Sequence, residues 1–283
     1  MRGEAVQWWQ TIVLGVVEGL TEFLPVSSTG HLTITENLMH LKTDDLGVTA
    51  YTAIIQVGAI VAAIIYFWRD IVRIVVAFVT GLASAAGREQ PAWRLSVAVV
   101  LGSIPIAVVG LAAKSVIEST LRSLWWVTAG LLLWSLVMVF AERVARQARK
   151  ERDVTGKDGI VIGLVQCVAL IPGVSRSGAT ISAGLLRGLD RVTATRMSFF
   201  LGIPALTAAG ILEAFSARDD VASTVGWGPT ALGAVVSFVV AYASIAWLLR
   251  YVSRHSIVVF AGYRVALGLL LAAGLVTGAL SAT

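Results

Sequence analysis

Apolar residues run for membrane-spanning lengths at about 48–67, 96–113, 124–141, 193–215, 228–249 and 257–280. A helix needs ~20 such residues to cross a hydrocarbon core, so these six runs predict full crossings. A seventh run, roughly 71–87, is less apolar and carries Arg73, which predicts a short or partly inserted helix. Segments 6–41 and 159–190 behave differently. Each is apolar but broken midway, by Leu24-Pro25-Val26-Ser27-Ser28-Thr29-Gly30-His31 and by Ile171-Pro172-Gly173-Val174-Ser175-Arg176-Ser177-Gly178. Proline removes a helix donor and glycine relaxes the backbone, so each segment predicts two half-helices joined by a polar turn. Irregular backbone at membrane depth survives only where protein or a wet cavity surrounds it. Both segments are therefore candidate re-entrant hairpins with functional tips.

The hairpins also resemble each other. A shift of 148 residues aligns Gly15 with Gly163, Glu18 with Gln166, Ser27 with Ser175, Thr29 with Ser177 and Gly30 with Gly178. The prolines miss by one position. Repeat 1 then covers about 6–141 and repeat 2 about 159–280, with a polar loop, 142–158, between them in a single membrane domain spanning 1–283. That loop reads as an inner connection or an extension of the preceding helix. Three full crossings separate the hairpins, and an odd number inverts the second repeat relative to the first.

Composition changes the picture in one direction. Of the 283 residues, 57% are hydrophobic and 14% are charged, well below the ~25% usual in soluble domains. Disorder, a collagen-like rod and a nucleic-acid-binding domain are excluded, and an all-α polytopic membrane protein is expected. The net charge of +5 reads as orientation rather than as affinity for nucleic acid. With the N-terminus and first hairpin outside, 15 of 22 Lys and Arg fall on inner connections and five (Arg2, Lys42, Lys114, Arg122, Arg218) outside. Arg176 and Arg264 remain within membrane segments. This is the bias of the positive-inside rule. Eight of nine tryptophans sit near predicted span ends, where an indole prefers the interface; Trp134 is mid-span. The single cysteine, Cys167, excludes an intrachain disulfide and reads as a packing residue. The run after Arg2 and Glu4 leads into Glu18 and Glu22, not a small-residue cleavage site, so no cleavable signal peptide is expected.

Ionisable groups inside a membrane are expensive and usually functional. They are few here: Glu18, Glu22, His31, Arg176 and Arg264, with Glu213 near a span end. Glu18 and Glu22 are four apart and share one helix face. Such a pair needs a cation, a proton or an arginine between its members. A structural arginine bridge is one solution; a divalent cation is the other, and hard oxygen ligands favour Mg²⁺ or Ca²⁺. The second tip, Pro172 to Thr180, combines small residues, hydroxyls and a helix N-terminus into a candidate anion site, with Arg176 offering a planar fork to phosphate oxygens. A permanent Arg176 pair with Glu18 or Glu22 is the bland alternative. His31, beside Ser27 and Ser28, is a candidate proton-transfer group. Arg264 is expected to point into the same cavity. Gln56 fits helix–helix hydrogen bonding and ligand contact equally well, while His40 and His255 read as structural.

The motif from Gly15 through Val16-Val17-Glu18-Gly19-Leu20-Thr21-Glu22 to His31, with Pro172-Gly173-Val174-Ser175-Arg176-Ser177-Gly178-Ala179-Thr180 and a terminal Tyr263-Arg264, closely resembles the bacterial undecaprenyl-pyrophosphate phosphatases, the bacitracin-resistance family. The resemblance implies removal of the terminal phosphate from a C55 polyprenyl diphosphate, regenerating the monophosphate carrier for cell-wall synthesis. It implies a divalent cation, a multi-pass protein of the bacterial plasma membrane and a site open toward the outer leaflet. Bacitracin would compete indirectly, by binding the substrate. By position, Glu18, Glu22, Ser28 and His31 match the acidic and proton-transfer residues, with Glu18 and Glu22 as metal ligands. Ser175, Arg176, Ser177, Thr180 and Arg264 match the phosphate-binding set, to which the turn residues Ser27, Thr29 and Gly178 are added. The nucleophile is Ser28, activated by His31, or a water; the Ser28–His31 relay is favoured. A secondary transporter or lipid flippase uses the same inverted-repeat architecture and is the alternative, and a non-catalytic scaffold explains none of the buried charges. The Gly58/Ala62 spacing leaves a homodimer and intramolecular packing equally open.

Overall fold

The computed structural model describes residues 7–41, 46–113, 123–216 and 225–280. Arg2, Lys42, Lys114, Arg122 and Arg218, the five basic residues assigned to the outer side, and the side chain of Glu213 lie outside the described residues. Apart from one isolated bridge between Arg149 and Leu189, the described secondary structure is helical.

The chain begins with α1 (Trp8–Thr21) and α2 (Ser28–Leu38), then α3 (Leu46–Tyr66), α4 (Trp68–Ala83), the single turn α5 (Ala85–Arg88), α6 (Pro91–Ala112) and α7 (Leu124–Val144). After a short 3₁₀ turn come α8 (Gly156–Gln166), α9 (Arg176–Leu186), α10 (Arg191–Ser216), α11 (Trp227–Val252) and α12 (Val258–Val276). Five helices are long and apolar enough to cross a membrane, and the bent pair α3–α4 makes a sixth. The run expected as a short helix at 71–87 is α4 with α5, turned 72° from α3. Phe67 sits at the bend, buried, with its ring against Phe199 and Phe200. Phe23, next to Glu22, meets Phe199 edge-on with ring centroids 5.4 Å apart. One aromatic cluster thereby anchors the first tip to the bend.

Both segments broken by proline fold as two helices around an irregular turn, α1/α2 and α8/α9. The first half-helix of each lies against a long helix of the other half of the chain, α1 on α11 and α8 on α6. The approach is close because glycines face it. A Cβ on Gly15 would stand 2.7 Å from the Gly233 carbonyl oxygen, and one on Gly163 would stand 2.1 Å from that of Gly102. Small residues at such crossings let backbones touch where no hydrophobic drive separates protein from lipid. Gly58 works the same way, facing Ala234 of α11, so that the Gly58/Ala62 spacing serves packing within the chain.

The arginine-rich end is tied by ion pairs. Arg73 and Arg196 both bind Asp70 and Glu151, at 2.7 to 3.0 Å. Arg149 and Arg187 converge on Asp158 at 2.6 and 2.8 Å, and Arg191 binds Glu142. Burial pushes the Glu151 carboxyl up, but Arg196 and Arg73 more than offset this and hold it below its ordinary value. Asp158 behaves alike: burial raises it, and hydrogen bonds from Arg149, Thr155 and Arg187 bring it well below the usual carboxylate range. These pairs pin the 142–158 connection onto α4, α8, α9 and α10.

Candidate active site

Each turn ends in a serine with left-handed backbone, Ser27 at φ 78° and Ser175 at φ 73°. Such a conformation is strained for a residue with a Cβ and persists only where the surroundings impose it. Each serine caps the half-helix that follows: the Ser27 hydroxyl accepts from the Gly30 N–H at 3.4 Å, and that of Ser175 from the Gly178 N–H at 3.2 Å. Side-chain capping satisfies one of the free donors of a helix N-terminus and fixes the direction of chain entry. The two tips are built alike, 148 residues apart.

The tips meet. The Ser177 hydroxyl donates to the Leu24 carbonyl at 2.9 Å, and Arg176 reaches Glu22 at 3.3 Å. Behind them Arg264, fully buried, donates to Pro25 O of the first tip at 3.4 Å and to Gly173 O of the second at 2.9 Å. Its other bonds go to Gly130 O and Ser135 Oγ, each at 3.1 Å. The expectation that Arg264 points into the cavity meets a different geometry: its guanidinium is taken up by uncharged oxygens and lines no part of the pocket. A charge so deep needs every donor answered, and carbonyl dipoles of both hairpins answer this one.

In front of the clamp lies a cavity of about 200 Å³. Its polar wall is Glu22, Ser27, Ser28 and Thr29 from the first tip and Ser175 and Arg176 from the second, with Gln56 of α3 and Gln166 of α8. Ile106, Leu170, Leu206 and Ala209 form the apolar wall. This is room for a small polar head group with an apolar continuation, the usual makeup of a lipid-ligand site.

Glu22 is the hub. One carboxylate oxygen, Oε2, accepts from the Ser28 hydroxyl at 2.6 Å and from Gln56 Nε2 at 3.3 Å; the other, Oε1, accepts from Arg176. Arg176 is steadied by Ser198 O at 3.1 Å, and Ser198 Oγ takes a bond from Thr180 at 2.7 Å. A Cβ on Gly202 would come within 1.9 Å of Arg176 Nη1, so the guanidinium occupies space that only glycine leaves. Thr180, Ser177 and Gly178 support the second tip from behind the cavity wall.

His31 does not face Ser28. Its Nδ1 lies 2.8 Å from Ser27 O, which makes Nδ1 the protonated nitrogen, and its Nε2 lies 2.6 Å from the Tyr263 hydroxyl. The two rings stack. The favoured Ser28–His31 relay is therefore replaced in this geometry by a Ser28–Glu22 contact.

Glu18 is the unanswered carboxylate. It is fully buried, and among the described residues neither of its oxygens has a hydrogen-bond partner. A buried unpaired carboxylate is costly, and a cation supplied from outside removes the cost. Among the described residues no cluster of three His, Cys, Asp or Glu side chains gathers. Two carboxylates with amide, hydroxyl and substrate oxygens are nonetheless a donor set that suits Mg²⁺, which commonly takes one or two protein carboxylates and substrate phosphates. By donor type the two carboxylates fit a divalent cation, with Glu22 lining the cavity and Glu18 buried behind it.

Sequence reasoning left Gln56 undecided and gave Gln166, Ser198, Gly202 and Tyr263 no role. The one signal for Gln166 was its alignment with Glu18; the others are brought to the site by packing between distant helices.

The fold and site define a multi-pass membrane protein with two helix–turn–helix segments joined at their turns over a polar, arginine-containing cavity. Residues 11–270 match the family described as bacitracin resistance protein BacA, and the chain belongs to that family. It is 58% identical over 97% of its length to undecaprenyl-diphosphatase 3 of Frankia casuarinae, 99% of which is covered. It is 55% identical to the undecaprenyl-diphosphatase of Cutibacterium acnes, over 94% of this chain and 96% of that one. A third relative, the undecaprenyl-diphosphatase of Mycobacterium sp. strain KMS, is 46% identical over 98% of this chain and its own full length.

Proposed function

We propose that the protein is an integral membrane phosphatase that hydrolyses undecaprenyl diphosphate to undecaprenyl phosphate and inorganic phosphate, recycling the lipid carrier used in cell-wall synthesis. Family membership and the names of relatives matched over nearly their whole length support this activity. The single structural observation that carries it is the Ser28–Glu22–Arg176 constellation at the meeting of the two tips.

Phosphoryl transfer asks chiefly for positioning and charge stabilisation. Arg176 and the hydroxyls of Ser27 and Thr29 offer donors to diphosphate oxygens, the Ser175 hydroxyl donates to Ser177 Oγ and so steadies the tip, and the apolar wall accepts the first part of the prenyl chain. Glu22 is placed to take the Ser28 proton as Ser28 Oγ bonds to the terminal phosphorus. The bond from that phosphorus to the bridging oxygen then breaks and the monophosphate lipid leaves. Water hydrolyses the resulting phosphoserine, returning the proton to Ser28 and releasing phosphate. If water attacks first, Glu22 is the base in the same position. His31, with Nδ1–H bound to Ser27 O and Nε2 accepting from the Tyr263 hydroxyl, steadies the first tip, and it could transfer a proton only after exchanging the Tyr263 contact. Glu18 and Glu22 would hold a Mg²⁺ or Ca²⁺, whose charge would offset that of the diphosphate.

The chain reads as a single membrane domain of two inverted halves, supported by the matched Ser27 and Ser175 caps and by the reciprocal packing of α1 on α11 and α8 on α6. The arginine-rich end reads as cytoplasmic in a bacterial plasma membrane and the site as open toward the outer leaflet. Bacitracin, by binding the same diphosphate lipid, would withhold substrate rather than occupy the site.

Purified protein in detergent, with no gradient, is expected to release phosphate from undecaprenyl diphosphate. A carrier or flippase releases none.

A further inference from the structure

The charges of the two hairpins are segregated. Residues 6–41 contain Glu18, Glu22 and Glu36 but no Lys or Arg, whereas 159–190 contain Arg176, Arg187 and a single acidic residue, Asp190, and at the cavity itself the first hairpin offers Glu22 and the second Arg176. The first hairpin is thus the cation side of the cavity and the second the anion side. On the anion side one polar group has no task in the reaction described so far. Gln166, the last residue of α8, is fully buried, lines the cavity, and has neither its amide nitrogen nor its amide oxygen hydrogen-bonded. Few buried polar groups stay unsatisfied in native proteins, and each exception asks for a missing partner. Among the described residues the amide has no partner; α8 is packed on α6 through Gly163 and Gly102, and the turn that follows contributes Ala169, Leu170 and Ile171 to the same cavity.

We propose that Gln166 is a substrate-binding residue whose amide N–H donates to an oxygen of the diphosphate head group, alongside Arg176. The position that carries a carboxylate in the first hairpin, Glu18, carries its uncharged amide in the second, where an anion must approach. A glutamate at both positions would surround the head group with negative charge; the amide keeps the shape, removes the charge and adds a donor. Gln166 thereby sets the polarity of the site, orienting the diphosphate toward the second hairpin and leaving the first free for the acidic residues.

This inference rests on the phosphatase reading, so its test includes wild type and Arg176→Ala as references. Full-length variants are assayed in detergent with undecaprenyl diphosphate, and binding is followed as the thermal shift produced by inorganic diphosphate. Gln166→Leu removes both unpaired polar atoms while nearly preserving volume. It is expected to melt no lower than wild type, to raise KM roughly tenfold, and to lose most of the shift with inorganic diphosphate. Gln166→Glu, closer still in shape, is expected to raise KM further, because it replaces the donor by a charge that repels the ligand. Wild-type KM and thermal shift in Gln166→Leu overturn the proposal, and so does a Gln166→Glu enzyme with unchanged KM or tightened Mg²⁺ response. If Gln166→Leu does not fold, Gln166→Glu decides alone. Weakening in Arg176→Ala without any in the Gln166 variants sinks this inference only; a wild type that releases no phosphate sinks the phosphatase reading itself.

Discussion

The hydroxyl of Ser177 donates to the carbonyl of Leu24 across 2.9 Å, joining the tip of the second hairpin to the tip of the first. That bond lies between residues far apart in sequence, and everything proposed for the site depends on the contact it makes. Arg264 reinforces it from behind by bonding Pro25 O and Gly173 O.

Arg264→Ala removes the clamp and leaves carbonyls of both tips buried without donors. The expected loss of stability is about 1–3 kcal/mol for each carbonyl left without a donor, read as a lower melting temperature in detergent. Activity is expected to fall with folding. An Arg264→Ala protein that melts like wild type yet binds inorganic diphosphate poorly would return Arg264 to the ligand-binding set.

Ser28→Ala and Glu22→Gln separate the nucleophile from its base. Glu22→Gln is expected to lower kcat by about 10²-fold or more, as loss of a positioned general base does. Ser28→Ala does the same if phosphoserine forms, and rapid-quench labelling of wild type then shows phosphate on Ser28. Near-normal turnover in Ser28→Ala assigns the attack to water.

Glu18→Gln tests the cation. Removing an unpaired buried carboxylate is expected to raise the melting temperature of cation-free protein. In wild type, Mg²⁺ is expected to add about 2.7 kcal/mol of stability at a free concentration of about 100 Kd, and Glu18→Gln is expected to lose that response. Equal stabilisation of both proteins by Mg²⁺ and by Ca²⁺ would place the cation elsewhere.

Gly202→Ala drives a methyl group into the Arg176 guanidinium. The expected result is a KM shifted toward that of Arg176→Ala, with a stability loss of about 1–3 kcal/mol from overpacking. A wild-type KM would show that the guanidinium can settle elsewhere without cost.

At the arginine-rich end, Asp158 titrates below its unfolded value because Arg149 and Arg187 hold it charged. A depressed carboxylate stabilises above its unfolded pKa, about 3.9, and loses that contribution as pH falls toward the folded value. Melting temperature should therefore be flat in this respect between pH 5 and 8, on the order of the usual stability plateau, and fall in acid. Asp158→Asn should lie below wild type across the plateau and show a shallower acid decline.

Much of this was legible in the chain itself. Runs of spanning length mark α3, α6, α7, α10, α11 and α12, because lipid demands continuous apolar surface. The broken runs at Pro25 and Pro172 mark the hairpins, since proline and glycine act locally. The stretch at 71–87 was harder: the 72° bend at Phe67 comes from aromatic packing against α10, which no local signal encodes. Within the site, Glu22, Ser28 and Arg176 stood out as polar groups in an apolar setting, and the structure brings them together. Arg264 stood out for the same reason, but burial alone cannot tell a ligand arginine from one that binds carbonyls. The direction of His31 was equally hidden, because its partner Tyr263 lies 232 positions away.

The most direct test of a site shared between the two tips is a double-mutant cycle on kcat/KM for undecaprenyl diphosphate, using Glu22→Gln, Arg176→Ala and the pair. Residues that touch each other and one substrate couple by about 0.5–3 kcal/mol, so the double variant should lose several-fold to about a hundredfold less than the product of the single losses. Losses that simply multiply would mean that Glu22 and Arg176 act independently, which contradicts a single active site at the junction of the hairpins.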